Sequence, residues 1–255
     1  MIHAGVDAGS VNTKVLLFDS AVRRIVCTRT EPTGLKPRET AARLFDRCLA
    51  EAGLSGEQVA TVTATGYARH TVDFATGSVT EISAAAAGIL FWHPTCRTIV
   101  DIGGQDSKVI ALENGAVLEF AMNDRCAAGT GNFLAVLSRS LNLPLASFGE
   151  ISLESSRPAP ISSLCVVMAE SEILSLAAAD TPVADILAGL HEALARRIAA
   201  LAARIRVVPP VVFTGGVAQN PGMVRALAKA LGVEVTVCQQ PLYAAALGAT
   251  LVQRK

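Results

Sequence analysis

Two short segments of the sequence repeat the same residue types at the same spacing. Residues 7–15 read DAGSVNTKV and residues 101–109 read DIGGQDSKV. In both copies an aspartate is followed two positions later by glycine, and a hydroxyl residue then precedes Lys-Val in the same register. Two unrelated hairpins could both need glycine, but they would not also share the aspartate, the hydroxyl and the lysine. We therefore interpret the pair as a duplication that produces two similar lobes.

Each copy contains groups that bind nucleotide phosphates. Glycine allows backbone N–H groups to approach phosphate oxygens, and hydroxyl, amide and ammonium groups add further donors. A carboxylate at a strand end, as expected of Asp7 and Asp101, can hold Mg²⁺ directly or through water. The sequence therefore predicts that ATP or ADP binds with Mg²⁺ at Gly9, Ser10, Asn12, Thr13, Lys14, Gly103, Gly104, Gln105, Asp106 and Ser107.

A third glycine turn follows an expected strand and precedes Pro221, a residue typical of a helix start. We expect this turn to carry the ribose and adenine, with the contacts coming from Gly215, Gly216, Val217, Gln219 and Asn220. The sequence contains neither a Walker A motif nor a G-x-G-x-x-G motif, which argues against P-loop and Rossmann proteins.

Two of the six cysteines precede expected helix starts. Cys126 and Cys165 lie 39 positions apart without a C-x-x-C motif, and this spacing alone favours inert buried thiols. However, Cys126 precedes the segment Gly129–Gly131 that opens a helix, and Cys165 precedes a helix expected from about Ala169. Helix N-termini favour a thiolate and an anionic cluster. We interpret the remaining thiols as core or partly exposed residues, namely Cys27, Cys48, Cys96 and Cys238.

Extended apolar runs alternate with helical patterns along the chain, which indicates an α/β fold. The gap between the first two expected strands is too short for a crossover helix, so mixed rather than parallel sheets are predicted. The predicted strands are Ile2–Val6, Lys14–Phe18, Arg24–Thr28, Val59–Ala64, Thr98–Ile102, Lys108–Leu112, Val117–Ala121, Val211–Phe213 and Val233–Val237. The predicted helices are Pro37–Ala52, Ser83–Phe91, Thr130–Leu141, Ala169–Ala178, Ala184–Ile205, Pro221–Leu231 and Leu242–Val252.

The composition excludes several classes of protein. The 255 residues carry 22 Lys and Arg against 22 Asp and Glu, which argues against a nucleic-acid partner. The longest apolar run, Ile82–Trp92, is shorter than the roughly 20 residues that span a bilayer, so no membrane partner is expected. No basic segment or cleavage site resembling a signal peptide begins the sequence. We therefore expect a cytoplasmic protein whose cysteines are free thiols or ligands of a metal or cluster.

The glycine turns resemble those of the actin, hexokinase and Hsp70 superfamily, in which two ribonuclease-H-like lobes clamp ATP. A closer resemblance, over nearly the whole chain, is to the activators of 2-hydroxyacyl-CoA dehydratases and the related ATP-binding subunits of benzoyl-CoA reductase. It rests on DIGGQDSK at 101–108, MNDRCAAGTG at 122–131, AESE at 169–172 and TGGV at 214–217.

The resemblance implies an actin-like ATPase fold with an ATP cleft between the lobes. The first lobe would span 1–94 and the second 95–239, with a C-terminal helix in 240–255 packing back on the first. Gly129, Thr130 and Gly131 would join the nucleotide-binding residues. ATP hydrolysis would be catalysed by Asp7 and Asp101, which orient Mg²⁺ and the attacking water, and Gln105 would assist.

The resemblance also implies an ATP-driven electron donor. One 4Fe-4S cluster would bridge a homodimer, with Cys126 and Cys165 of each chain as its ligands. The implied partners are an upstream donor such as ferredoxin or flavodoxin and a downstream acyl-CoA dehydratase or reductase component.

Two other classes stay open on the sequence alone. A small-molecule kinase of the same superfamily would need a substrate-binding insertion, for which the chain leaves little room. A non-enzymatic nucleotide-binding scaffold would not need two cysteines near helix starts. Among the other polar residues, we expect His191 to lie at the surface or in packing and Glu170 and Glu172 to complement a helix N-terminus. A solvated helix face is expected of Arg196, Arg197, Arg204 and Arg206.

Overall fold

The computed structural model describes residues 1–162 and 165–252, which form two compact units. The first unit comprises Met1–Thr95, Asn114–Val117 and the segment from Cys238 onward, and the second comprises Cys96–Glu113 and Leu118–Val237. Across the described ranges, no helix combines the length and apolar character needed to cross a membrane.

Strands and helices alternate along most of the chain. The strands are β1 (Ile2–Ala8), β2 (Asn12–Asp19), β3 (Arg24–Pro32), β4 (Val59–Thr65), β5 (Gly77–Ser78), β6 (Thr98–Ile102), β7 (Ser107–Glu113), β8 (Ala116–Asn123), β9 (Val211–Thr214) and β10 (Val235–Val237). The helices are α1 (Pro37–Ala52), α2 (Glu81–Trp92), α3 (Gly131–Ser140), α4 (Phe148–Leu153), α5 (Val166–Ala178), α6 (Val183–Ala202), α7 (Pro221–Leu231) and α8 (Ala244–Leu251).

The two five-stranded sheets have the same topology. The first has the order β3-β2-β1-β4-β5 and the second β8-β7-β6-β9-β10. In each, the central strand pairs antiparallel with the strand that follows it and parallel with a later one. Asp7 faces Lys14 in the first sheet, and Asp101 faces Lys108 in the second. The repeated sequence motifs therefore occupy the same register in both sheets, as a duplication requires.

The last helix of the chain packs within the first unit. A Cβ atom on Gly88 of α2 would lie 1.9 Å from the Ala244 carbonyl oxygen, and one on Gly248 of α8 would lie 1.7 Å from the Ala84 carbonyl oxygen. Only glycine allows the backbones of α2 and α8 to approach so closely. This contact fixes α8 against helix α2, which lies next to the first sheet.

The predicted α/β class with mixed sheets is confirmed, and the differences from expectation are local. The two-residue strand β5 and the short helix α4 were not predicted, since neither is long enough to show a periodic pattern. Helix α5 begins at Val166 rather than Ala169, because Cys165 serves as its N-cap.

Candidate functional site

The first glycine turn is built around a partly buried ion pair. Lys14 Nζ lies 2.9 Å from Asp7 Oδ2, and the Asp7 side chain is only 10% exposed. A Cβ on Gly9 would lie 2.7 Å from the Asn12 carbonyl oxygen, so glycine is needed for the turn to close. Ser10 and Asn12 are half-buried at this turn.

The Thr13 hydroxyl belongs to the interior of the first unit rather than to the turn surface. Thr33 Oγ1 donates to the Gly9 carbonyl oxygen at 2.7 Å, so Thr13 Oγ1 must be the donor in its 2.9 Å bond with Thr33 Oγ1. Thr13 is fully buried. In this structure it supports the turn and does not present its hydroxyl to a ligand.

Gly66 is a part of the first turn region that the sequence motifs did not indicate. It follows β4 with φ +90°, and a Cβ there would lie 2.5 Å from Asp7 Oδ1. Gly215 follows β9 with φ +86°, and its Cβ would lie 2.5 Å from Asp101 Oδ1. Each central aspartate is thus flanked by a position of positive φ that only glycine can fill. The matching Thr-Gly pairs at 65–66 and 214–215 are the sequence signal.

The second glycine turn closes through its own backbone and side chains. The Gly103 N–H donates to the Asp106 carbonyl oxygen at 2.9 Å, and the buried Lys108 Nζ lies 2.8 Å from Asp106 Oδ2. Gln105 is exposed at the tip, whereas Gly104 is half-buried. Ser107 is buried and its hydroxyl has no partner within the described ranges, so it does not sit on the turn surface.

The start of helix α3 is hydrogen-bonded to the second turn. The Gly131 N–H donates to the Gly103 carbonyl oxygen at 2.8 Å, and the Asn132 N–H donates to the Gly104 carbonyl oxygen at 2.9 Å. A Cβ on Gly131 would lie 3.1 Å from Val217 Cγ2, so this glycine also touches the third turn. The second turn, the third turn and the start of α3 therefore meet within the second unit.

The segment before α3 links this meeting point to Cys126. Asn123 Oδ1 accepts from the Cys126 N–H at 3.1 Å, and Asn123 Nδ2 donates to the Cys126 carbonyl oxygen at 2.9 Å. A Cβ on Gly129 would lie 2.6 Å from Asn123 Nδ2, so a larger residue at this position would press on the clamp. Thr130 is buried and its hydroxyl donates back to the Ala127 carbonyl oxygen at 2.8 Å. Gly129 and Thr130 thus shape the cysteine loop.

The third turn is anchored by a buried histidine. Asn220 Oδ1 accepts from the Met223 N–H at 2.9 Å and caps α7, while its Nδ2 lies 3.0 Å from His191 Nε2. Burial, with a smaller contribution from Arg225, lowers the pKa of His191 from 6.5 to about 4. The neutral imidazole therefore accepts from the Asn220 amide. Gly216 and Gln219 are the exposed positions of this turn.

Cys126 and Cys165 are both exposed, which corrects the interpretation of inert buried thiols that their spacing alone suggests. Cys165 caps α5, and its Sγ accepts from the Met168 N–H at 3.4 Å. The other thiols differ: Cys48, Cys96 and Cys238 are buried and Cys27 is half-buried. Burial, as the main cause, raises the pKa of Cys48 far above its usual range. Exposure thus separates the two candidate ligands from the other cysteines.

The donor set of one chain is half of what a four-iron cluster needs. Such a cluster is held by four thiolates, and each chain offers two exposed ones near helix N-termini. Within residues 1–162 and 165–252, no group of three or more His, Cys, Asp or Glu side chains is placed to hold a metal ion. The exposed thiols fit a cluster shared between two copies and do not fit one enclosed by a single chain.

Several polar residues have other partners than expected. Glu170 accepts a hydrogen bond from the Ser140 hydroxyl, and Glu172 accepts from the Ser162 N–H at 3.0 Å. Neither carboxylate lies in the first turn of α5, so the expected helix-terminus role is wrong. Arg197 is half-buried with its guanidinium over the Phe133 ring, so the expected solvated arginine face is also wrong at that position.

Two mixed-sheet units that each set a glycine turn beside a central aspartate define an actin-like ATPase fold. A family model described as the BadF/BadG/BcrA/BcrD ATPase family matches residues 4–252, and the chain belongs to this family. The expected family is therefore confirmed.

Three members of this family, one of them with a solved structure, are similar to this chain over nearly its whole length. The activator of 2-hydroxyisocaproyl-CoA dehydratase from Clostridium difficile, solved with bound ADPNP, has a TM-score of 0.94 and 39% identity over 98% of this chain and 93% of its own. The activator of lactoyl-CoA dehydratase from Anaerotignum propionicum is 40% identical over 98% of this chain and 96% of its own. A benzoyl-CoA reductase subunit from Thauera aromatica is 29% identical over 98% of this chain and 92% of its own.

Proposed function

We propose that this protein hydrolyses ATP to drive low-potential electron transfer from an iron–sulfur cluster to a 2-hydroxyacyl-CoA dehydratase. The relatives named as dehydratase activators are 39% and 40% identical, whereas the benzoyl-CoA reductase subunit is 29% identical. This difference favours a dehydratase over a reductase as the partner. The observation that carries the proposal is the hydrogen-bonded link between the second glycine turn and the loop of Cys126.

The glycine turns bind ATP with Mg²⁺, and water attacks the terminal phosphate to give ADP and phosphate. Asp7 and Asp101 orient Mg²⁺ and the attacking water, and the exposed Gln105 side chain assists. Open backbone at Gly9 and Gly104 supplies N–H donors to the phosphates, and Gly103, whose N–H is bonded to Asp106, keeps the second turn closed around them. Gly215, Gly216 and Gln219 contact the ribose and adenine.

The state of the nucleotide reaches Cys126 through backbone hydrogen bonds. A shift of the Gly103 and Gly104 carbonyl groups moves the N–H groups of Gly131 and Asn132, to which they are bonded. Since Cys126 lies only five residues before Gly131 and is clamped by Asn123, the loop moves with the start of α3. A small movement at the phosphates is thereby carried to a cluster ligand.

Cys126 and Cys165 hold one 4Fe-4S cluster at the interface of a homodimer. Two thiolates from each chain give the four that the cluster needs, and a two-fold axis generates such a set. When bound, the cluster supplies one-electron transfer, with the electron arriving from a ferredoxin or flavodoxin and leaving to the dehydratase component. Exposed thiols and a cluster open to oxygen suit the reducing cytoplasm.

The test is anaerobic purification followed by iron and sulfide analysis, light scattering, and ATP-dependent reduction of a dehydratase component. We expect about four iron atoms per two chains, a dimer that dissociates when iron is removed, and electron transfer only with ATP. Phosphorylation of a sugar without bound iron would instead identify a kinase. ATP binding without hydrolysis in the presence of the dehydratase would identify a scaffold.

A further inference from the structure

A cavity of about 550 Å³ lies in the second unit between the Cys126 loop and the last turns of α6. Its lining includes Cys126 on one side and Arg197, Ile198 and Leu201 on the other. Ile198 and Leu201 are buried in the core, which fixes the position of this part of α6. Arg197 therefore projects from a rigid helix into the space beside a candidate cluster ligand.

The Arg197 guanidinium is held in place by an aromatic ring. Its central carbon lies 5.6 Å from the centroid of the Phe133 ring, within the range of a cation–π interaction. Phe133 is fully buried near the start of α3, the helix that follows the Cys126 loop. The positive charge is therefore positioned by the same helix start that is hydrogen-bonded to the second glycine turn.

The cavity places Arg197 beside Cys126, and negative charge at either thiol acts on its guanidinium. Burial lowers the pKa of Arg197, and Arg196 lowers it further, whereas negative charge at Cys126 and Cys165 acts in the opposite direction. An arginine stays protonated at neutral pH despite such a shift. The cavity lining also holds Asp124, Arg125 and Arg204, but all three are exposed and the first two lie 4.0 Å apart as an ion pair. Water screens their charges more than that of Arg197.

We infer that Arg197 sets the reduction potential of the cluster held by Cys126 and Cys165. The inference rests on the proposed function and adds a residue that touches neither the nucleotide nor, as a ligand, the iron. Reduction adds one negative charge to the cluster, and a partly desolvated guanidinium beside it stabilises the reduced form. A two-fold dimer brings two copies of Arg197 to one cluster. Without them, the upstream donor would load the cluster less completely.

The test compares wild type with Arg197→Met and Arg197→Lys in the reconstituted dimer. The methionine keeps an apolar stem over Phe133 without the charge, and the lysine keeps the charge. Arg204→Met is the matched control, since it removes the same charge from an exposed position on the same cavity. Iron and sulfide content, thermal unfolding and a redox titration followed by electron paramagnetic resonance are measured for each variant.

We expect Arg197→Met to retain iron while its ratio of reduced to oxidised cluster falls about tenfold at a fixed potential, equivalent to about 59 mV for a one-electron couple. Arg197→Lys and Arg204→Met should stay within about threefold of wild type. An unchanged potential in iron-loaded Arg197→Met, or an equal fall in Arg204→Met, would overturn the inference. Loss of iron from both Arg197 variants would also overturn the inference, because Arg197 would then be needed to hold the structure of the Cys126 loop. Wild-type protein that binds no iron would refute the proposed function itself.

Discussion

The buried histidine beneath the third glycine turn makes stability depend on pH in a way that can be calculated. Asn220 must present Oδ1 to the Met223 N–H, so its Nδ2 donates to His191 Nε2 and the imidazole proton resides on Nδ1. If His191 Nε2 were protonated, its N–H would face the Asn220 Nδ2 donor, and a positive charge would be buried. Folding therefore opposes protonation, in agreement with a pKa lowered to about 4, mainly by burial.

The magnitude follows from linkage between protonation and folding. The unfolded chain binds a proton with the ordinary pKa of 6.5, and the folded chain does so only near pH 4. The stabilisation is complete above pH 6.5 and is lost as the pH falls from there through 4. At about 1.36 kcal/mol per pH unit, the full loss is about 3 kcal/mol, of which about 2 kcal/mol has occurred by pH 5.

Urea unfolding at several pH values between 5 and 8 measures this effect, with His191→Gln as the matched variant. A glutamine Oε1 can accept from Asn220 Nδ2 and does not titrate, so we expect the wild type to lose about 2 kcal/mol more than the variant between pH 8 and 5. His191→Leu should destabilise by about 1–3 kcal/mol at pH 8 and weaken nucleotide binding, because the buried Asn220 amide loses its acceptor. Parallel curves for wild type and His191→Gln would refute the reasoning.

Other predictions concern the turns and the thiols. Asp101→Ala should abolish most ATP hydrolysis, measured as phosphate release, with an unchanged circular dichroism spectrum; wild-type turnover would make the second turn merely structural. Cys126→Ser and Cys165→Ser should each lose iron in anaerobic iron analysis, while Cys27→Ser retains it; full iron in either of the first two removes that residue from the ligand set. Gly215→Ala should destabilise far more than Gly232→Ala in thermal unfolding, because both have positive φ but only the Gly215 Cβ would strike backbone, 2.4 Å from the Ile102 carbonyl oxygen. Equal losses of stability in Gly215→Ala and Gly232→Ala would show that the backbone around Gly215 shifts to accommodate a Cβ.

Much of the fold is predictable because its signals are local. Helix α1 has the predicted bounds, since Pro37 starts it and Gly53 ends it with a left-handed backbone. Strand β6 also has the predicted bounds, as an apolar run that ends at the second turn. The repeat at 7–15 and 101–109 predicted two similar lobes, and the equal strand orders of the two sheets agree with it.

The parts that escaped prediction depend on contacts between distant segments. Nothing near His191 in the sequence indicates that it meets Asn220, 29 positions later. Arg197 has the pattern of an exposed helix residue, and only the packing of α3 brings Phe133 beneath it. Gly66 is a single glycine after a strand, and its role emerges only when β4 pairs with β1 beside Asp7.

The two copies of the repeat also differ in what surrounds them. Thr13 and Ser107 occupy equivalent register positions, but the Thr13 hydroxyl bonds to Thr33 on the neighbouring segment. Ser107 has no such partner within the described ranges and instead lines the cavity beside Cys126. In the first unit β3 leads to α1, whereas in the second the equivalent strand β8 leads into the Cys126 loop. Where the first unit has a closed hydroxyl pair, the second unit thus has a segment that joins a glycine turn to an exposed thiol.

If that segment carries the coupling, Asn123→Ala should uncouple ATP hydrolysis from electron transfer while each partial reaction persists, because it releases the Cys126 loop without touching any of the three glycine turns. Tightly coupled turnover in that variant would place the coupling elsewhere in the unit.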